Sequence, residues 1–121
     1  MPTPLVLTDL FHLAETGDRL PWQPFRPGVE IYPLYSDPES SASAALLRYA
    51  PGATVPEHMH TGFEHIVVLS GSQSDRHGTY SAGTLVINSP DTQHSVASEE
   101  GCIVLIIWQR PVQILAEQSS T

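Results

Sequence analysis

Prolines punctuate this chain so regularly that few stretches remain in which a long helix could form. Eleven are spread over 121 residues, and a proline inside a helix removes a hydrogen bond and collides with the preceding turn. What remains reads as a series of short strand-like runs with breakers between them, at residues 29–34, 44–49, 55–60, 64–69, 73–75, 78–80, 84–87, 94–97 and 102–108. Many short strands at such intervals predict an all-β sandwich or barrel. Asp75-Arg76-His77-Gly78 reads as a hairpin loop, with Gly78 free to take a positive φ.

The length predicts one domain, divided as an N-terminal arm or short helix at 1–21, the domain proper at 22–115 and a polar tail at 116–121. In the arm, residues 5–14 are the helical candidate, with Thr8 or Asp9 as cap. The proline-rich run 21–28 should hold Trp22 and Phe25 extended over a barrel end. A formal charge of −8, from 13 acidic and 5 basic residues, argues against a nucleic-acid partner, because affinity for a polyphosphate backbone comes from clustered cations. No apolar run is long enough to cross a membrane, so no membrane partner is expected. The N-terminus lacks a secretory pattern, and a cytoplasmic location is the expectation. Cys102 has no Lys or Arg beside it and is read as a small buried hydrophobe rather than a redox thiol.

Chemistry concentrates in His58-Met59-His60. Residues two apart on a strand share a face, so both imidazoles point the same way. A glycine-containing bend then leads to Glu64, which a returning strand sets opposite the pair, and His94 follows a later strand-like run. Three imidazoles and a carboxylate make a shell for one divalent transition metal with positions left for water or substrate, and zinc, iron, nickel and manganese all suit such ligands. His65 falls on the opposite face, while His77 and His12 are expected in solvent. Tyr49, Phe63, Tyr80 and Trp108 are candidate pocket aromatics, and Arg48 and Gln109 candidate polar anchors inside the barrel. No catalytic residue and no organic cofactor is assigned.

Gly52, five residues, His58-Met59-His60, three residues, Glu64, six residues and Gly71 resemble the first cupin motif with every spacing kept. Gly83 and His94 keep the separation of the second motif, with Ser89, Asp91 and Ser98 where proline, glycine and asparagine are usual. The flanking residues are similar to the cupin-like domain of ChrR-type anti-sigma factors over roughly residues 22–108. That resemblance implies a small jelly-roll barrel, the double-stranded β-helix. It implies a metal-binding module that senses or binds a small molecule. The alternatives are an iron-dependent, dioxygenase-like enzyme acting on a small aromatic or carbonyl compound, or a metal that only closes the fold. A sigma factor is not expected as partner, because the zinc-holding N-terminal domain of those factors has no counterpart here and no cysteine precedes Cys102. The runs 66–69 and 103–108 are apolar on both faces, so the outer face needs cover from the N-terminal segment or from a second copy in a homodimer.

Overall fold

The computed structural model describes residues 3–115; the tail expected at 116–121 lies outside them. Ten strands are formed among the described residues: β1 (Gln23–Arg26), β2 (Val29–Ser36), β3 (Ser43–Tyr49), β4 (Ala53–Met59), β5 (Glu64–Asp75), β6 (Gly78–Ser81), β7 (Leu85–Asn88), β8 (Gln93–Ser98), β9 (Cys102–Trp108) and β10 (Gln113–Ile114). Every pairing is antiparallel, and the order is β1-β2-β3-β9-β5-β8-β4-β10, with β6 and β7 also on β5. The fold is the all-β jelly roll.

Strand β5 makes one curled sheet out of two layers. Its first residues, Glu64 to Val67, pair with β7 on one side and β9 on the other, whereas Ser72 to Asp75 pair with β6 and Ser74 reaches β8. Between the halves lies a register shift at Val68/Ser70, and Gly71 takes φ 72°. A Cβ at Gly71 would run into the Gly101 carbonyl and sit 2.9 Å from Cys102 Cα, so only glycine lets the strand turn the corner. Sequence reading divides this element in two because the Ser70-Gly71-Ser72 run looks like a break; the ladder continues through it.

Alternation along the strands sorts the apolar residues into two layers. Inside are Ala45, Leu47 and Tyr49 of β3, Ile66 and Val68 of β5, Val96 of β8, and Val104 and Ile106 of β9. Outside, Leu46, Leu69 and Ile103 pack with Leu13, and Leu7, Leu10, Leu20 and Trp22 close over them. The N-terminal segment therefore supplies cover for much of the two-faced strands. It is pinned there by Arg48, whose guanidinium bonds Asp18 at 2.7 Å and Glu30 at 2.8 Å and stacks 4.6 Å over the Trp22 ring.

Three local expectations are corrected. The helical turn is displaced to Leu10–Arg19, as α1 (Leu13–Thr16) between two 3₁₀ turns, because Asp9 adopts φ 60° and makes no side-chain cap. The proline-rich run is more than an extended segment over a barrel end: residues 23–26 form β1 on β2. At the β5–β6 hairpin Asp75 pairs with Gly78, and Gly78 is not among the positive-φ glycines. No described helix is long and apolar enough to cross a membrane.

Candidate metal centre

His58 on β4 stands directly opposite His94 on β8, and His60 follows just past the end of β4. Its backbone is fixed by a tight turn: His60 N–H donates to Thr92 O and Asp91 N–H to His60 O, both at 2.8 Å. Asp91 makes this possible by taking φ 67°, a left-handed conformation that Asp adopts more readily than most residues. The departure from glycine at this position thus keeps the turn. Glu64 opens β5 beside Trp108 of β9 and Asn88 of β7.

Side chains from these elements converge. One ligating atom from each of His58, His60, Glu64 and His94 lies within 4.8 Å of all the others. Ring centroids are 5.2 Å apart for His58 and His60 and 4.7 Å for each with His94. All four residues are at most 4% exposed. The structure brings together the four side chains that sequence spacing singles out; His65 faces away, and His12 and His77 are exposed.

The protonation pattern follows from what each Nδ1 touches. His58 Nδ1 lies 2.9 Å from Pro56 O, a group that can only accept. His94 Nδ1 lies 3.1 Å from the Asp75 carboxylate. His60 Nδ1 lies 3.0 Å from Thr92 Oγ1, and that hydroxyl already donates its hydrogen to Ser89 O at 2.6 Å, so it accepts from His60. Each imidazole is thereby held with its hydrogen on Nδ1 and its lone pair on Nε2. His94 Nε2 is buried without a hydrogen-bond partner. His60 Nε2 faces Glu64 Oε1 at 3.1 Å, acceptor against acceptor unless a proton or metal ion lies between them. Lone pairs, a carboxylate and an orphaned buried nitrogen are what a cation site presents, and the donor set fits a divalent transition metal.

Glu64 is held ready as an anion. Burial would raise its pKa, but a proton shared with His60 Nε2 and the hydrogen bond from Asn88 outweigh burial and hold it below the usual carboxylate range. Asn88 Nδ2 donates to Oε1 at 3.0 Å and Trp108 Nε1 to Oε2 at 2.9 Å. His58 has its pKa lowered, first by burial and then by the neighbouring imidazoles, against the opposing pull of Pro56 and Glu64. Asp75 is likewise lowered: burial is outweighed by the His77 N–H, His94 and Tyr80. Reading the sequence finds the four converging groups and misses Asp75, Thr92, Asn88 and Trp108 as the residues that aim them.

Beside the cluster lies a cavity of about 320 Å³ whose wall includes His58, Glu64 and His94. Leu47, Val55, Ile66, Val96, Ile106 and Trp108 make most of the surface apolar, with Phe25 and Pro111 toward solvent. Tyr49 and Trp108 line it as expected. Phe63 is instead 44% exposed, and Tyr80 is engaged with Asp75. Arg48 points outward to Asp18 and Glu30, and Gln109 accepts from Phe63 N–H outside the barrel; among the described residues the polar groups that border the cavity besides the cluster are Arg26, Ser43, Tyr49 and Gln73. Cys102 is buried and its thiol is pushed up to about 11, chiefly by burial, as befits a packing residue.

Residues 12–113 match the family described as the ChrR Cupin-like domain. The anti-sigma-E factor ChrR of Cereibacter sphaeroides is 34% identical over 74 residues, 60% of this chain and 35% of that protein. The chain thus spans about a third of the length of that relative. An RmlC-like cupin protein from Ralstonia eutropha shares 27% identity at a TM-score of 0.71, over 79% of this chain and 67% of its own. An acetylacetone dioxygenase from Acinetobacter johnsonii shares 16% identity at a TM-score of 0.78, over 100% of this chain and 83% of its own, a likeness of fold alone.

Proposed function

The chain belongs to the ChrR cupin-like family, and from that membership we propose that it is a metal-dependent module that binds a small organic molecule in the barrel. His58, His60, Glu64 and His94 hold one divalent transition ion of the zinc, iron, nickel or manganese group. The observation that carries this is the set of three Nε2 lone pairs turned, by their Nδ1 partners, toward one anionic carboxylate. Such an ion supplies Lewis acidity to a bound oxygen and, if it is iron, a centre for chemistry on dioxygen. The protein's part is to fix the four donors, keep Glu64 charged and surround the ligand with an apolar wall.

A second reading, an oxygenase acting on a small aromatic or carbonyl compound, is favoured by the cavity. A metal that only closes the fold needs no ligand-sized space against three of its donors, and this one has about 320 Å³. The test is metal analysis of tag-free protein, followed by oxygen uptake with iron-loaded protein and carbonyl substrates. Oxygen consumption coupled to substrate loss assigns the enzyme; ligand binding without turnover assigns the sensor.

The outer face beyond the N-terminal cover still presents Leu85 and Ile87 of β7, 57% and 52% exposed. On that strip a second copy of the chain docks to give a homodimer, and light scattering at micromolar concentration tests it: a monomeric mass sinks the assignment.

A further inference from the structure

The row of residues that carries Glu64 crosses five strands: Ser36 of β2, Ser43 of β3, Trp108 of β9, Glu64 of β5 and Asn88 of β7. Ser43 precedes Ala45 and Leu47 on the same strand face, both in the inner core, so alternation turns its side chain inward. It borders the cavity together with Trp108 and Glu64. On one side of the row the polar side chains are engaged with the carboxylate: Asn88 Nδ2 donates to Oε1 at 3.0 Å and Trp108 Nε1 to Oε2 at 2.9 Å. An indole has a single N–H, so Trp108 has no further hydrogen for a ligand. Ser43 is left over. Its hydroxyl makes no hydrogen bond with any described residue, although the residue is half-buried in a wall made largely of Leu47, Val55, Ile66, Val96 and Ile106. A hydroxyl in such surroundings is costly to leave without a partner.

Resting on the metal-binding reading above, we propose that Ser43 is a specificity-determining residue, whose hydroxyl donates to the far carbonyl of a small uncharged dicarbonyl compound while the near carbonyl oxygen faces the metal centre. Neighbouring strands lie about 4.8 Å apart, so the backbones of Ser43 and Glu64, two strands apart, are separated by roughly 10 Å. A chain of a few carbons spans that distance once both side chains have reached inward. The 320 Å³ of the cavity equals the liquid volume of about ten waters at ~30 Å³ each, which admits a compound of about ten heavy atoms or fewer. Aliphatic walls and a formal charge of −8 on the chain both disfavour an anion. A monoketone of the same length fills the same space and leaves either the metal or Ser43 without its oxygen, and a site built to hydrogen-bond its ligand rejects an analogue that lacks the group.

The experiment uses zinc-loaded protein and titration calorimetry with two probe pairs of matched length: 2,5-hexanedione beside 2-hexanone, and 2,6-heptanedione beside 2-heptanone. The diketone of at least one pair is expected to bind about fourfold or more tighter than its monoketone. Roughly twofold comes from either carbonyl being able to take the metal end, multiplied by the about two- to twelvefold that one hydrogen bond contributes. Ser43→Ala should reduce the preference to about twofold or less, with zinc still stoichiometric and monoketone affinity unchanged within about twofold. Equal affinity of diketone and monoketone in the parent protein overturns the inference whatever the variant does, as does a preference that survives Ser43→Ala. An equal loss of affinity for both members of a pair in the variant also overturns it, because that is the mark of a packing residue. Zinc uptake with no binding of any probe overturns it too and leaves the metal reading standing. Absence of zinc uptake sinks both.

Discussion

Replacing Asp75 by Asn tests whether the metal centre depends on the orientation of His94. Asp75 Oδ2 accepts from His94 Nδ1 at 3.1 Å, while Oδ1 accepts the His77 N–H at 2.8 Å and the Tyr80 hydroxyl at 3.1 Å. Asparagine has one acceptor oxygen and cannot serve both sides. If that oxygen stays with His77 and Tyr80, the amide nitrogen faces His94 Nδ1, which must become an acceptor and move its hydrogen to Nε2, the atom a metal needs. If the oxygen turns to His94, exposed His77 finds water, but a charge-assisted bond becomes a neutral one. That exchange costs about 1–1.5 kcal/mol, the gap between ~1.5–3 and ~0.5–1.5, or roughly five- to tenfold in affinity. The first arrangement lies toward the hundredfold end of what supporting residues of metal ligands contribute, about 10–100-fold. The expected loss of zinc affinity is therefore about fivefold or more, read by competition with a chromogenic chelator, with urea unfolding of the metal-free form as control. Affinity within twofold of the parent would refute the argument that Asp75 sets the tautomer of His94.

Thr92→Val removes the acceptor that keeps hydrogen on His60 Nδ1, so His60 can place it on Nε2 against Glu64; metal affinity should fall several-fold while metal-free stability changes little, and an equal loss of both contradicts this. Acid should destabilise the metal-free protein. His58, Glu64 and Asp75 all have lowered pKa values in the fold, so the unfolded chain binds protons first; their contribution is present above the unfolded pKa, about 6.5 for His and about 4 for carboxylates, and is lost as pH falls below it. A urea midpoint that stays flat from pH 7 to 4 is the contrary result, and bound metal should leave over the same range. Gly71→Ala should cost about 2 kcal/mol or more by urea unfolding, since a left-handed φ of 72° costs roughly 1–2 kcal/mol for an L-residue and the new Cβ also meets the Gly101 backbone. Gly83→Ala, with φ 92° but nothing within 4 Å of the new Cβ, should show the strain alone; equal costs at the two sites would count against the close approach.

The strands and the His58–His60 pair were legible because both follow simple periods, and Glu64 and His94 because they keep the motif spacing. Alternation put His58 and His60 on one face, and breaker spacing delimited Cys102–Trp108 to the residue. What aims the site was not legible. Asp75 reads as a hairpin residue and Thr92 as part of a turn-rich run, yet each reaches a histidine 19 or 32 residues away, a relation created only when β5, β8 and the Asp91 turn pack together. Arg48 was legible and misread: it alternates with Leu47 and Tyr49, both inside, so strand period alone sends it outward, and the contacts of the N-terminal segment explain why a cation belongs there. The corner at Gly71 escaped notice because glycine marks a turn and a bulge with the same letter.

Metal content tests the central claim most directly. Protein purified without an affinity tag should carry one divalent transition ion per chain by elemental analysis. The His60→Ala/His94→Ala double variant should carry none while its far-ultraviolet circular dichroism still shows the β fold. A folded double variant that retains a full equivalent of metal would contradict the account, because the two lone pairs argued to define the site would then not be holding it.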